Sequence, residues 1–230
     1  MLKVENLNVA YGQSHIVHDI SFEVKPREIV AVMGRNGMGK STLLKSLIGM
    51  VPPKSGKVEV NGTDVTFLES YRHVENGIAF VPQGRHVFSN LTVEENIRAG
   101  LRIKEHWVQL RTEVYSIFDV LCKMRGRKAG NLSGGQQQQL AIARALVAEP
   151  RVLILDEPTE GIQPSIIKDL ARQINDLKLS KDLAIVVSEQ VLSFTIDIAD
   201  KMYVIESGRF VREDTRGNFD VEKITSYLSV

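Results

Sequence analysis

Short unbroken apolar runs, each bounded by turn residues, recur at Glu28–Met33, Ile78–Val81, Val152–Asp156 and Leu183–Val187. Runs of that length, rich in Val and Ile, predict strands buried on both faces. Leu2–Val9 alternates roughly and predicts an edge strand, ended by Tyr11-Gly12. His15–Val24 predicts a second strand, with Lys25–Glu28 as the turn into the next. Lys40–Ile48 predicts a helix with Gly49 just past its end. Pro52-Pro53 and Ser55-Gly56 mark a loop, and Lys57–Val60 with the Asn61-Gly62 turn predicts a hairpin. Ser70–Asn76 predicts a short helix closed by Gly77.

From Leu91 to about Ala148 the texture changes and no strand-like run occurs. Thr92–Glu95 has the form of a capping box opening a helix. Trp107–Met124 carries Val108, Val114, Ile117, Phe118 and Leu121 close to helical spacing. Ser133–Gln136 repeats the S-x-x-Q capping form, and the helix it opens runs through Leu140–Ala143 to Ala148, before Pro150. Alternation of strand and helix resumes at Arg151. Pro164 fits the first turn of a helix reaching about Leu179. A helix over Gln190–Ala199, a hairpin over Lys201–Glu206 and Arg209–Arg212, and a helical tail over Asp220–Leu228 complete the reading. There is no internal repeat and no long linker. The pattern predicts an α/β protein of one domain, 1–230, alternating strand and helix over 1–90 and 150–230, with a helical lobe inserted at about 91–149.

A chain of 230 residues suits one large domain or a domain with an inserted lobe. The apolar share of 43% and charged share of 25% are ordinary for a globular protein. A net charge of +1 gives no ground to expect nucleic acid as a partner. The single cysteine, Cys122, has no internal disulfide partner, which fits a reducing cytoplasm, and on an apolar helix it reads as a core residue. No apolar run approaches the ~20 residues of a membrane span. Met1–Asn6 offers no signal-peptide core, so a membrane role is expected to come through a partner.

The candidate chemistry centres on Gly34, Arg35, Asn36, Gly37, Met38, Gly39, Lys40, Ser41 and Thr42, a G-x-x-x-x-G-K-S string between a predicted strand and a predicted helix. The glycines let backbone N–H groups turn inward around phosphates, and the helix N-terminus adds its positive end. Lys40 is expected to reach the β- and γ-phosphates and Ser41 to take a place on Mg²⁺. Asp156 ends a buried strand, where open α/β sheets place ligands, and is expected to hold Mg²⁺ directly or through water. Glu157 follows it and is expected to orient the attacking water. Gln83, past another strand end, suits a ligand to Mg²⁺ or water, and taken alone reads equally as a loop residue. Tyr11 has two readings, strand-end packing or a platform for a purine ring. Ser133 with two glycines makes a second anion-binding helix N-terminus, although the capping box alone also accounts for Ser133 and Gln136. One chain has one γ-phosphate to bind, so two phosphate sites point to a dimer in which each chain completes the other's site.

These strings, in this order, resemble the ATP-binding subunit of ATP-binding-cassette (ABC) transporters over essentially the whole chain. Gly34–Thr42 matches Walker A, Gln83 the Q-loop, Leu132–Gln136 the signature and Val152–Glu157 Walker B. Tyr11 holds the place of the adenine-stacking aromatic. The resemblance implies a phosphate-loop NTPase core with an N-terminal antiparallel β subdomain and an inserted α-helical subdomain. It implies an ATPase with ATP and Mg²⁺, in which Glu157, Lys40 and Gln83 are catalytic and Ser41, Gln83 and Asp156 serve the metal. Nucleotide contacts are implied for Tyr11, Gly34–Thr42, Ser133, Gly134, Gly135, Gln136 and Glu189. Implied partners are a second ATPase subunit, identical or a sister chain, transmembrane permease subunits and, indirectly, a periplasmic or extracellular solute-binding protein. The implied location is the inner face of the cell membrane.

Within the branched-chain amino acid and urea/amide importer group, Pro82–Arg85, Leu91–Asn96, Leu132–Ile142 and Leu155–Ser165 look most like the urea-type subunit. Uptake of urea or a related small polar solute is therefore expected. The alternatives are branched-chain amino acids, or a nucleotide-gated clamp with little turnover. Two positions depart from the family pattern. Glu189 stands where most relatives carry a histidine toward the γ-phosphate, and Gln163 replaces an aspartate that communicates across the dimer.

Overall fold

A computed structural model describes residues 1–228 and divides its strands between two sheets. β1 (Leu2–Tyr11), β2 (Ser14–Val24), β4 (Ser55–Val60) and β5 (Thr63–Asp64) form an antiparallel sheet in the order β2-β1-β4-β5. β1 is an inner strand, paired through Leu2 with Val24 on one side and Val60 on the other, and not the edge strand that its pattern predicts. Register shifts between Val4 and Ala10, around a left-handed Asn6 (φ 46°), break its period of two. An irregular alternation thus marks a bulged inner strand here.

The second sheet contains β3 (Ile29–Met33), β6 (Ile78–Val81), β7 (Val152–Asp156), β8 (Ala184–Glu189), β9 (Lys201–Glu206) and β10 (Arg209–Thr215). Its order is β10-β9-β3-β8-β7-β6, parallel except for the β9–β10 hairpin at one edge. Every residue of β3, β7 and β8 is buried, which explains their unbroken apolar runs. The helices are α1 (Lys40–Leu47), α2 (Ser70–Glu75), α3 (Val93–Ala99), α4 (Trp107–Ile117), α5 (Asp119–Lys123), α6 (Gly134–Leu146), α7 (Pro164–Ser180), α8 (Leu192–Ile198) and α9 (Val221–Leu228). Helix α1 lies between the sheets, in one core with Val4, Val32 and Ile154. Helices α3, α4, α6 and α7 cover the opposite face of the parallel sheet in a second core. Helices α8 and α9 pack Ile224 against Met33 and Val204.

The single helix predicted over Trp107–Met124 is broken at Phe118, which adopts φ −119° and ψ 71°. No glycine or proline is present there. The break turns Phe118 and Leu121 into the second core, where both are fully buried. Burying an aromatic ring outweighs one lost helical hydrogen bond. Helix α3 begins at the reciprocal capping box of Thr92 and Glu95, and α6 at that of Ser133 and Gln136.

Candidate functional site

The carboxyl ends of β3, β8 and β7 lie side by side, with Met33 opposite Glu189 and Asp156 opposite Ser188. The loop 34–39 leaves β3 at this edge and enters α1 at Lys40. Gly34 passes so close to β9 that an added Cβ would come 2.6 Å from the Ile205 carbonyl oxygen. Gly39 carries φ 102°, a conformation that favours glycine, and no side chain caps α1. The first turn of α1 thereby presents backbone donors and a positive helix end to an anion.

Side chains converge on this loop from the neighbouring strand ends. The Lys40 ammonium is buried, donating to the carbonyls of Gly34 (2.7 Å) and Arg35 (3.0 Å) and lying 3.1 Å from Glu157 Oε1. The Ser41 hydroxyl is 3.3 Å from Asp156 Oδ1, which also accepts from the Ser188 hydroxyl. Gln83 Nε2 lies 3.4 Å from Glu157 Oε2. A cavity of about 370 Å³ is lined by Tyr11, Ile16, Asn36, Gly37, Gly39–Thr42, Gln83 and Glu157. Tyr11, at the end of β1, is half exposed on its rim.

The donor set suits one hard cation. Among the described residues no group of three or more His, Cys, Asp and Glu gathers into a metal cluster. Ser41 and Asp156 instead place two oxygens together beside the phosphate loop. Mg²⁺ is held in this way, by one or two carboxylates with the remaining places left to phosphate and water.

Gln190, which the sequence motifs do not assign to the site, bridges it. Its Nε2 donates to Asn36 Oδ1 (2.8 Å) and to Glu157 Oε1 (2.9 Å). Glu189 points the other way. Its carboxylate accepts from the Thr159 amide (2.9 Å) and hydroxyl (2.7 Å) and from the amides of Gln190 and Val191. Burial pushes its carboxyl above the ordinary range, against these four hydrogen bonds. The expected position for a γ-phosphate contact is thus turned into the protein, and the next residue faces the loop. The signal for Gln190 was its place, the first residue past β8 at the same sheet edge.

Ser133, Gly134, Gly135 and Gln136 lie elsewhere. Ser133 N donates to Gln136 Oε1 (2.9 Å), and Gln136 N to the Ser133 hydroxyl (3.4 Å). Ser133, Gly135 and Gln136 line a separate cavity of about 460 Å³ with Gln139 and Gln173. Gln163 is the residue before Pro164 at the start of α7, and its side chain does not cap that helix. A single chain therefore assembles Tyr11, the phosphate loop, Gln83, Asp156 and Glu157, and leaves the second helix N-terminus apart.

Comparison with known proteins follows the same lines. The sequence profile described as ABC transporter matches residues 17–160. The chain is 40% identical over 217 residues to the high-affinity branched-chain amino acid transport ATP-binding protein BraG of Pseudomonas aeruginosa, covering 94% of this chain and 93% of that one. It is 40% identical over 211 residues to the probable branched-chain amino acid transport ATP-binding protein LivF of Archaeoglobus fulgidus, covering 91% and 89%. Its fold matches the crystal structure of a nucleotide-free ATP-binding cassette from an ABC transporter with a TM-score of 0.85 at 26% identity, over 100% of this chain and 95% of the other.

Proposed function

We propose the following on the premise that the chain belongs to the ABC transporter family, as an ATP-binding subunit with ATPase activity. It energises the uptake of branched-chain amino acids through a membrane permease. The observation that carries the solute class is 40% identity, over more than nine-tenths of this chain, to two proteins named for branched-chain amino acid transport. The strings Pro82–Arg85 and Leu155–Ser165 favour a second reading, a urea-type importer. Deleting the gene in its host and following labelled leucine and urea separates them. Loss of leucine uptake supports the first reading, and loss of urea uptake alone replaces it with the second.

The chemistry follows from where the side chains sit. ATP enters with its adenine against Tyr11 and its phosphates in the loop 34–39. Lys40 exchanges Glu157 and the loop carbonyls for the β- and γ-phosphates. Ser41 and Asp156, with Gln83, would hold Mg²⁺, which would supply positive charge to the phosphate oxygens. Glu157 accepts a hydrogen bond from the attacking water and aligns it with the γ-phosphorus, while Gln190 holds its carboxylate beside Asn36. Water attacks phosphorus, the bond to the ADP oxygen breaks, and the proton leaves through Glu157 to solvent or phosphate.

Two chains pair so that Ser133–Gln136 of each reach the other's γ-phosphate. The separation of the two anion-binding ends within one chain supports this arrangement. Among the described residues no helix is long and apolar enough to cross a membrane. Similarity to transport ATP-binding proteins supports placing the chain on the inner face, bound to a permease. An external solute-binding protein would select the cargo. If turnover of the isolated chain equals that of Lys40→Ala, the nucleotide-gated clamp replaces the hydrolytic role in this subunit.

A further inference from the structure

The segment between Gln83 and Phe88 carries an unusual backbone. Gly84, Arg85 and His86 are consecutive left-handed residues, with φ 79°, 66° and 47°. Two of the three are not glycine, and such geometry persists where the surroundings enforce it.

Both ends of the segment are fastened. At its far end the His86 carbonyl accepts from Arg144 Nη2 of α6 (2.9 Å), and the Arg144 guanidinium lies 5.0 Å from the Phe88 ring centre. Phe88 exchanges two hydrogen bonds with the Asn96 side chain of α3. That end is therefore tied to the helical layer. At its near end Arg85 Nη2 donates 2.5 Å to the Glu160 carbonyl, three residues past Glu157. The same guanidinium lies beside Gly134, at the start of α6, and Gly161. A Cβ added to either glycine would stand 3.2 Å from Nη2. Among the described residues Arg85 forms no ion pair, so its contacts are with this backbone and not with a carboxylate. Two residues before Arg85, Gln83 reaches Glu157 at 3.4 Å, the outer limit of a hydrogen bond, where a small displacement makes or breaks the contact.

We infer that Arg85 is a positioning residue for ATP hydrolysis, a strut that sets Gln83 against Glu157 and ties both to the start of α6. A movement of α6 relative to the parallel sheet pulls on the His86 carbonyl and on the space over Gly134 together. Arg85 converts that movement into a change at the carboxylate that orients water. Arginine suits the task because its long stem and planar fork reach one carbonyl while covering two glycines, whereas lysine offers a point donor.

Steady-state ATP turnover of the purified chain tests this, on the premise that it is an ATPase. Wild-type turnover above the Lys40→Ala rate checks that premise separately. Arg85→Ala and Arg85→Gly are each expected to lower kcat by roughly tenfold to a hundredfold, as for a displaced catalytic group, with the KM for ATP near wild type. Arg85→Lys recovers part of the loss. The Arg85→Gly variant adopts the left-handed backbone without strain, so it separates the strut from the strain. Gln83→Ala added to Arg85→Ala is expected to cost little more, because both act through one contact. The inference is overturned if Arg85→Gly turns over like wild type, if the variants raise KM at unchanged kcat, or if the Gln83 and Arg85 losses are additive. Melting curves of the variants identify any that fail to fold, and Arg85→Lys with Arg85→Gly still decides the matter if Arg85→Ala does.

Discussion

Lys40 and Glu157 satisfy one another, and a nucleotide held by Lys40 has to part them. Their side chains are 4% and 9% exposed and 3.1 Å apart. At that separation Coulomb's law gives about 1.3 kcal/mol at the dielectric constant of water and about 5 kcal/mol at an effective protein value of about 20. The cost of desolvating both charges offsets part of the larger figure. Even the lower one corresponds to about a tenfold change in affinity. Glu157→Gln removes the attraction while keeping a carbonyl oxygen for Gln190, now 2.9 Å from Glu157 Oε1. Lys40 is then released to phosphate, and Glu157→Gln should bind a non-hydrolysable ATP analogue with Mg²⁺ about tenfold more tightly than wild type.

Neutralising Glu157 also removes its repulsion of the phosphates, which acts in the same direction. A double-mutant cycle separates the two effects. Without the ammonium, only the relief of repulsion remains, so Glu157→Gln should gain less in a Lys40→Ala background. Isothermal titration of the four proteins with the analogue measures both gains. Equal gains, or weaker binding by Glu157→Gln, would refute the argument that the ion pair opposes nucleotide. Turnover by Glu157→Gln should fall roughly a hundredfold or more, the usual contribution of a positioned acid–base group.

Gln190→Ala should lower kcat with a modest effect on KM, because it frees Glu157 from Asn36; Gln190→His should bring in a pH dependence near the ordinary imidazole value of about 6.5, read from the turnover profile. Burial raises the Glu189 carboxyl, so the native chain holds that proton more tightly than the unfolded chain does. Its contribution to stability is therefore full below the ordinary glutamate value of about 4.3 and is lost as pH rises through the native value, a limb that thermal melts should show in wild type and lose in Glu189→Gln. Phe118→Ala should cost about 3–5 kcal/mol in denaturant unfolding, as for other buried aromatics, and a loss under about 1 kcal/mol would contradict the packing reason for the helix break.

The phosphate loop is legible in the sequence because each of its residues answers to a local constraint. Gly39 needs its φ of 102°, Gly34 has no room for a Cβ, and Lys40 must begin the helix. The capping boxes at Thr92 and Ser133 are also local, closing over three residues, and they located α3 and α6. What escaped depends on distance or direction. The break at Phe118 is decided by a core assembled from α3, α6 and α7, and no breaker residue announces it. The inner position of β1 is decided by strands on both sides, and its bulge hides the period that would have suggested it.

The Glu189–Gln190 pair shows how narrow that gap is. Composition and position told us that a polar residue stands where β8 meets the phosphate loop. Adjacent residues at a strand end project to opposite sides, so a choice of one over the other exchanges the buried interior for the reaction site. The choice is settled by Thr159, which lies 30 residues earlier and supplies both an amide and a hydroxyl to Glu189. Once that carboxylate is bound inside, the neutral amide of Gln190 is left facing Glu157. The site consequently gains a hydrogen-bond donor without placing a further negative charge beside the loop 34–39.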